Sequence, residues 1–234
     1  MSATLYLIPT PLATADTPCL LPHEQALIVG ITDFIVEAEK TARAHLKALG
    51  VSTPIRELSM HTLNEHTNAA DIPALLEPLK QGRDVGLVSE AGCPAVADPG
   101  AQVVALAHQH GFTVKPLVGP SSILLALMAS GANGQNFAFR GYLPQHADER
   151  AAALKDWEAR AYQQKETQIF IETPYRNDVL LETALQTLKP TTRLCVACDL
   201  TADSETIISL PVQDWPKDRP NLKKRPTIFI IYAQ

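Results

Sequence analysis

Short apolar runs alternate with helical patterns along the first half of the chain. TLYLIP, DFIVEA, DVGLVS and TVKPLV read as strands, while EKTARAHLKALG, GAQVVALAHQHG and SSILLALMASG carry the wider apolar spacing of helices. Strands apolar at consecutive positions and separated by helices predict a mostly parallel sheet covered on both faces. Turn chemistry marks the boundaries. Asp98 reads as an N-cap with Pro99 at the first helical position, and Gly50 and Gly111 read as helix stops.

Beyond ANGQN the pattern changes. FAFRGYL, TQIFIE, RLCVACDL, ETIISL and TIFIIYA are strand-like, with helices expected only across Asp148 to Gln164 and from about Arg176 to Leu188. Strands outnumbering helices predict a second α/β domain on a mixed sheet. The expected domains are 1–118 and 119–234, without a repeat or a long linker, abutting around a cleft.

A hydrophobic fraction of 46% and a charged fraction of 19% suit cores of this size and exclude a disordered chain. No apolar run approaches the ~20 residues of a membrane helix. The N-terminus lacks a basic start and is broken by Pro9 and Pro11, so a cytoplasmic protein without membrane partners is expected. The net charge of −5 arises in the first half, where residues 1–119 hold 7 Lys+Arg against 12 Asp+Glu; this disfavours a broad phosphate-binding face there. Of the four cysteines, Cys195 and Cys198 lie in a strand pattern that turns them to opposite faces, which favours core thiols over a metal pair.

Three turns follow strands of the first domain: IPTPLA, SEAGCP and GPSS. Ligands of open α/β sheets bind beyond the carboxyl ends of the strands, and small residues there permit close backbone approach. No Gly-x-Gly-x-x-Gly follows the first strand and no Walker lysine sequence occurs, so the ligand needs little phosphate cradling.

LYLIPTPLA, VSEAGCPAVADPG, VGPSS, FAFRGYLP, IFIETPYR and CDLT, in that order, resemble the tetrapyrrole-methylase superfamily. They are most similar to the branch of bacterial ribosomal small-subunit RNA methyltransferases that modify a cytidine ribose 2′-hydroxyl. Glu90 and Cys93 stand where that branch has Asp and Thr. The resemblance implies two α/β domains, S-adenosylmethionine in the cleft between them, and a homodimer. It implies cofactor contacts at Pro11, at Glu90, Gly92 and Cys93, at Ser121 and Ser122, at Ile171 or Glu172, at Leu200, and at Pro226 with Thr227.

Methyl transfer from a sulfonium needs alignment above all, and a ribose acceptor must also lose a proton. Glu65, Glu90, Glu172 and His66 are candidates for that proton, and none is assigned as the base. Glu65 and Arg176 are the expected substrate contacts, Arg176 because its planar fork suits a phosphate or carboxylate. KDRPNLKKR holds five Lys or Arg in nine residues and is either an RNA contact or a solvated loop. Three functions fit: methylation of a ribose of small-subunit ribosomal RNA, the same chemistry on a tetrapyrrole or other small molecule, and a non-catalytic module that binds the donor.

Overall fold

The computed structural model describes residues 3–14 and 18–233. The chain forms two units, Met1–Ser121 and Ser122–Gln234, so Ser121 and Ser122 fall on different units. The first unit is built on β1 (Thr4–Ile8), β2 (Asp33–Val36), β3 (Ser59–Thr62), β4 (Val85–Val88) and β5 (Thr113–Pro116). Their order is β3-β2-β4-β1-β5 and every pairing is parallel.

Alternation along the strands sends side chains to two separate cores. Phe34, Val36, Ile8 and Val88 pack on one face with Ile28 of α1 (Pro22–Ile28) and Leu46 of α2 (Glu39–Ala48). Ile35, Val85, Leu87 and Leu5 pack on the other with Leu79 of α3 (Glu77–Lys80) and Val103 of α4 (Gly100–Gln109). β2 and β4, covered on both sides, are buried throughout, which is why the sequence writes them as unbroken apolar runs. Gly86 makes room for this packing, since a Cβ there would lie 2.6 Å from the Phe34 ring.

The edge strands differ. β3, with the sequence SMHT, is largely exposed and carries no apolar signature, and the sequence reading passes over it and over the short α1. Helix α4 opens one residue later than expected: Pro99 is the N-cap residue rather than the first helical one. Asp98 nevertheless serves the helix start, because its Oδ1 accepts from the Gly100 amide at 2.7 Å and both its oxygens accept from the Ala95 amide at 3.0 Å.

The second unit contains α5 (Ser122–Ser130), β6 (Phe137–Tyr142), α6 (Ala147–Gln164), β7 (Thr167–Ile171), α7 (Asn177–Thr187), β8 (Arg193–Cys198), β9 (Thr206–Pro211) and β10 (Thr227–Tyr232). The sheet order is β6-β7-β10-β8-β9, with β6 and β7 parallel and the remaining pairings antiparallel. Leu154 and Ala161 of α6 and Leu180 and Ala184 of α7 cover Phe170, Phe229 and Ile231, and the two phenylalanine rings stack at 5.7 Å. Across the sheet, Ser130 at the end of α5 accepts from the Tyr232 hydroxyl at 2.8 Å and from the Ser209 hydroxyl at 2.7 Å. Cys198 packs under α6 and α7 with Leu194 and Val196, while the buried Cys195 faces the other way. Among the described residues, no helix is long and apolar enough to cross a membrane.

Candidate functional site

Because the first sheet is wholly parallel, the carboxyl ends of all its strands emerge at one edge. There the turn after β1 is tied to the turn after β4: the Thr10 amide donates to the Gly92 carbonyl at 2.9 Å and the Gly92 amide to the Thr10 carbonyl at 3.0 Å. The Thr10 hydroxyl adds a bond to the Ser89 carbonyl at 3.2 Å. The turn after β5 joins them, since the Cys93 thiol donates to the Pro120 carbonyl at 3.4 Å. Gly119 lies so close to Pro9 that a Cβ would stand 2.1 Å from the proline Cβ. The structure thus brings Pro11, Gly92, Cys93 and Ser121 onto three mutually bonded turns.

Gly92 has φ +76°, a left-handed conformation that a side chain would strain, and a Cβ there would reach to 3.3 Å from Leu12. Burial pushes the Cys93 thiol up, which keeps it a hydrogen-bond donor rather than a thiolate nucleophile. Glu90 is exposed, and its amide donates to Glu37 Oε2 at 3.0 Å. Glu65 is not drawn into the bonded turns. Its carboxylate lies 3.6 Å from His66 with both side chains in solvent.

Three residues of this edge are not among the site residues expected from the sequence, which reads Asp98 only as a helix cap. Glu37, directly after β2, and Asp98 face a small open recess lined also by Val36, Leu63, Ser89 and Pro99. Burial raises the Asp98 carboxyl, the amides of Gly100 and Ala95 oppose this, and the charge of Glu37 adds to it. The signal for Glu37 is its place: a polar residue following the last apolar strand position, as Ser89 does after β4. The third is the fully buried His45 of α2, whose Nε2 lies 3.0 Å from the Pro9 carbonyl. A carbonyl only accepts, so Nε2 carries the proton. The Cys19 thiol donates to the same oxygen at 3.4 Å and is raised to about 11, chiefly by burial.

In the second unit the reversed direction of β10 sets its start beside the ends of β7 and β8, with Ile228 opposite Ile171 and Thr227 opposite Cys198. Ile171, Glu172, Leu200, Pro226 and Thr227 therefore share one edge, closed by the Asp199 amide donating to the Pro226 carbonyl at 2.9 Å. The Glu172 side chain is only 1% exposed. Its Oε1 accepts from the Thr173 amide at 2.7 Å and from Arg176 Nη2 at 2.6 Å. Its Oε2 is buried and has no partner among the described residues, and Arg176 Nε is in the same condition. Arg225 pairs with Asp199 at 2.7 Å, a bond that raises the guanidinium further.

This pair of α/β units has the fold of known methyltransferases. The methyltransferase CobJ aligns with a TM-score of 0.64 at 18% identity over 100% of this chain and 95% of its own. The cobalt precorrin-4 methyltransferase CbiF aligns with a TM-score of 0.60 at 13% identity, covering 98% and 94%. The sequence profile of the Tetrapyrrole (Corrin/Porphyrin) Methylases matches residues 21–216, and the chain belongs to that family. It is 32% identical over 231 residues to Ribosomal RNA small subunit methyltransferase I of Escherichia coli O157:H7, covering 97% of this chain and 77% of that protein. The protein of the same name from Vibrio cholerae serotype O1 is 29% identical over 232 residues, covering 98% and 77%.

Proposed function

We propose that this methyltransferase uses S-adenosylmethionine to methylate a ribose 2′-hydroxyl, that of a cytidine, in small-subunit ribosomal RNA. The observation that carries the reading is the bonded cluster of three turns at one edge of a parallel sheet. It occurs in a chain 32% identical, over 97% of its length, to a protein named for ribosomal RNA methylation. A homodimer working in the cytoplasm completes the proposal.

The residues present fit the donor. Gly92 and Gly119 let the three turns close on one another, where a side chain would meet Leu12 or Pro9, and no phosphate has to be cradled. The buried Glu172 Oε2 has accepting capacity with no donor among the described residues to fill it, which suits a ligand carrying N–H or O–H groups. Pro11, Glu90, Gly92, Cys93 and Ser121 are the proposed donor contacts of the first unit, and Ser122, Ile171, Glu172, Leu200, Pro226 and Thr227 those of the second. When bound, S-adenosylmethionine supplies an electrophilic methyl on a cationic sulfur. The contribution of this chain is to hold and orient. The Thr10–Gly92 bonds fix the turns, Glu172 meets cationic or hydrogen-bonding groups, and Arg176 presents a fork to the acceptor. No general base is assigned. Glu172 is engaged by Arg176, and Glu65 and Glu90 stand in solvent.

Calorimetric titration with S-adenosylmethionine and with its demethylated product, on the native chain and on Cys93→Trp, tests the donor. Micromolar binding that the folded variant loses supports it; no binding by the native chain overturns it. Transfer of labelled methyl to small-subunit RNA tests the acceptor, and label found only in a small-molecule fraction would replace RNA by such an acceptor.

A further inference from the structure

The turn that follows β7 holds an aromatic ring out of the protein. Tyr175 is 71% exposed although its neighbours on both sides are fixed. Glu172 Oε1 accepts from the Thr173 amide and from Arg176, and the Arg176 amide donates to the Thr173 carbonyl at 2.9 Å. On the far side the Lys224 amide donates to the Pro174 carbonyl at 2.8 Å, and the Lys224 ammonium stands 6.0 Å from the centre of the Tyr175 ring.

Those bonds also locate the basic segment, residues 217–225. The Leu222 amide donates to Asp178 at 2.8 Å and Asn177 Nδ2 donates to the Arg225 carbonyl at 2.7 Å, so the segment is laid along the start of α7. Two of its cations are consumed by anchoring, Arg219 on Glu182 and Arg225 on Asp199. Lys223 and Lys224 are exposed and make no ion pair among the described residues. An exposed ring on an anchored turn, with the Lys224 ammonium beside it and Lys223 next along the same anchored segment, matches the chemistry of an unstacked nucleotide, with a flat base for the ring and phosphates for the lysines.

We propose that Tyr175, with Lys223 and Lys224, forms a platform for single-stranded RNA on which one unpaired base of the acceptor stacks. This rests on the reading of the acceptor as RNA and adds where and in what form it is gripped: as an unpaired strand, by stacking, on the second unit. A duplex, with its bases already stacked on one another, has no free face to offer.

The test is fluorescence anisotropy of the full chain with labelled oligocytidylate and with a fully paired RNA duplex over a salt series. Tyr175→Ala should weaken oligocytidylate binding by about 5- to 150-fold, the range that loss of one base–aromatic stack produces. Tyr175→Phe should keep the affinity within about threefold, because the ring face is retained. Lys223→Ala and Lys224→Ala should each lower the slope of log affinity against log salt by about 0.7, while Tyr175→Ala leaves the slope as it was. Native affinity in the Tyr175→Ala variant, or a preference for duplex, overturns the platform.

Methyl transfer to small-subunit RNA, scored separately, keeps the two proposals apart. Transfer by the native chain with an unchanged RNA KM in Tyr175→Ala sinks the platform and leaves the function standing. Tyr175-dependent RNA binding without transfer to ribosomal RNA does the reverse.

Discussion

Thr10 and Gly92 exchange two backbone hydrogen bonds, at 2.9 and 3.0 Å, although they belong to turns after different strands. The exchange stitches the turn after β1 to the turn after β4 and needs Gly92 at φ +76°. Gly92→Ala should therefore lower stability by about 1–2 kcal/mol, the cost of a left-handed non-glycine residue. It should also weaken binding of S-adenosylmethionine. Gly82 has φ +79° with nothing within 4 Å of a would-be Cβ, so Gly82→Ala should lose similar stability and keep donor affinity. Equal donor binding by the two variants in calorimetry would refute a role for the Gly92 turn.

Arg176 and Glu172 are unequal partners. The carboxylate is 1% exposed and the guanidinium side chain 31%. Arg176→Ala leaves a buried charge without its cation and should cost on the order of 3 kcal/mol. Glu172→Gln leaves only the more exposed guanidinium without its counter-charge, keeps an acceptor for the Thr173 amide, and should cost less. Urea unfolding of the two variants checks the order, and donor titration of Glu172→Gln checks whether the unpartnered oxygen serves the ligand.

Asp98 joins the Ala95 and Gly100 amides, so Asp98→Ala should cost about 1–2 kcal/mol through lost hydrogen bonds. Asp98→Asn keeps an acceptor and removes a charge facing Glu37, so its loss should be smaller. Burial raises the Asp98 carboxyl above its ordinary 3.8, and the folded state therefore holds its proton more tightly than the unfolded state. Its contribution to stability is full below 3.8 and declines as pH rises through the raised value. Thermal unfolding over acid pH should show that decline in the native chain and not in Asp98→Asn.

Burial holds the Cys195 thiol at about 11 against an ordinary 9.0. The unfolded thiol ionises first, so the stability this group contributes is complete below pH 9.0 and is lost as pH rises to about 11. Thermal midpoints measured across that window should fall less steeply in Cys195→Ala than in the native chain. Parallel slopes would mean that the thiol does not titrate with unfolding.

The periodicity of the chain determines its β2 and β4, the helices α2, α4, α6 and α7, and the mixed character of the second sheet. Each follows from local spacing of apolar residues against a buried surface. The three turns were legible for the same reason: Gly, Pro and Ser directly after an apolar run mark a strand end. β3 was not, because an exposed edge strand needs no apolar side chains to hold its place and takes its pairing from β2.

Polar partnerships between distant parts of the chain lay beyond the sequence, unlike the local cap at Asp98. His45 meets the Pro9 carbonyl across 36 residues, Glu37 the Glu90 amide across 53, and Glu24 the Val118 amide across 94. A hydrogen bond depends on where two atoms stand in space. Apolar burial depends only on which face a residue takes, and that face is written in the local period, whereas the meeting of distant turns is decided by strand order and tertiary packing.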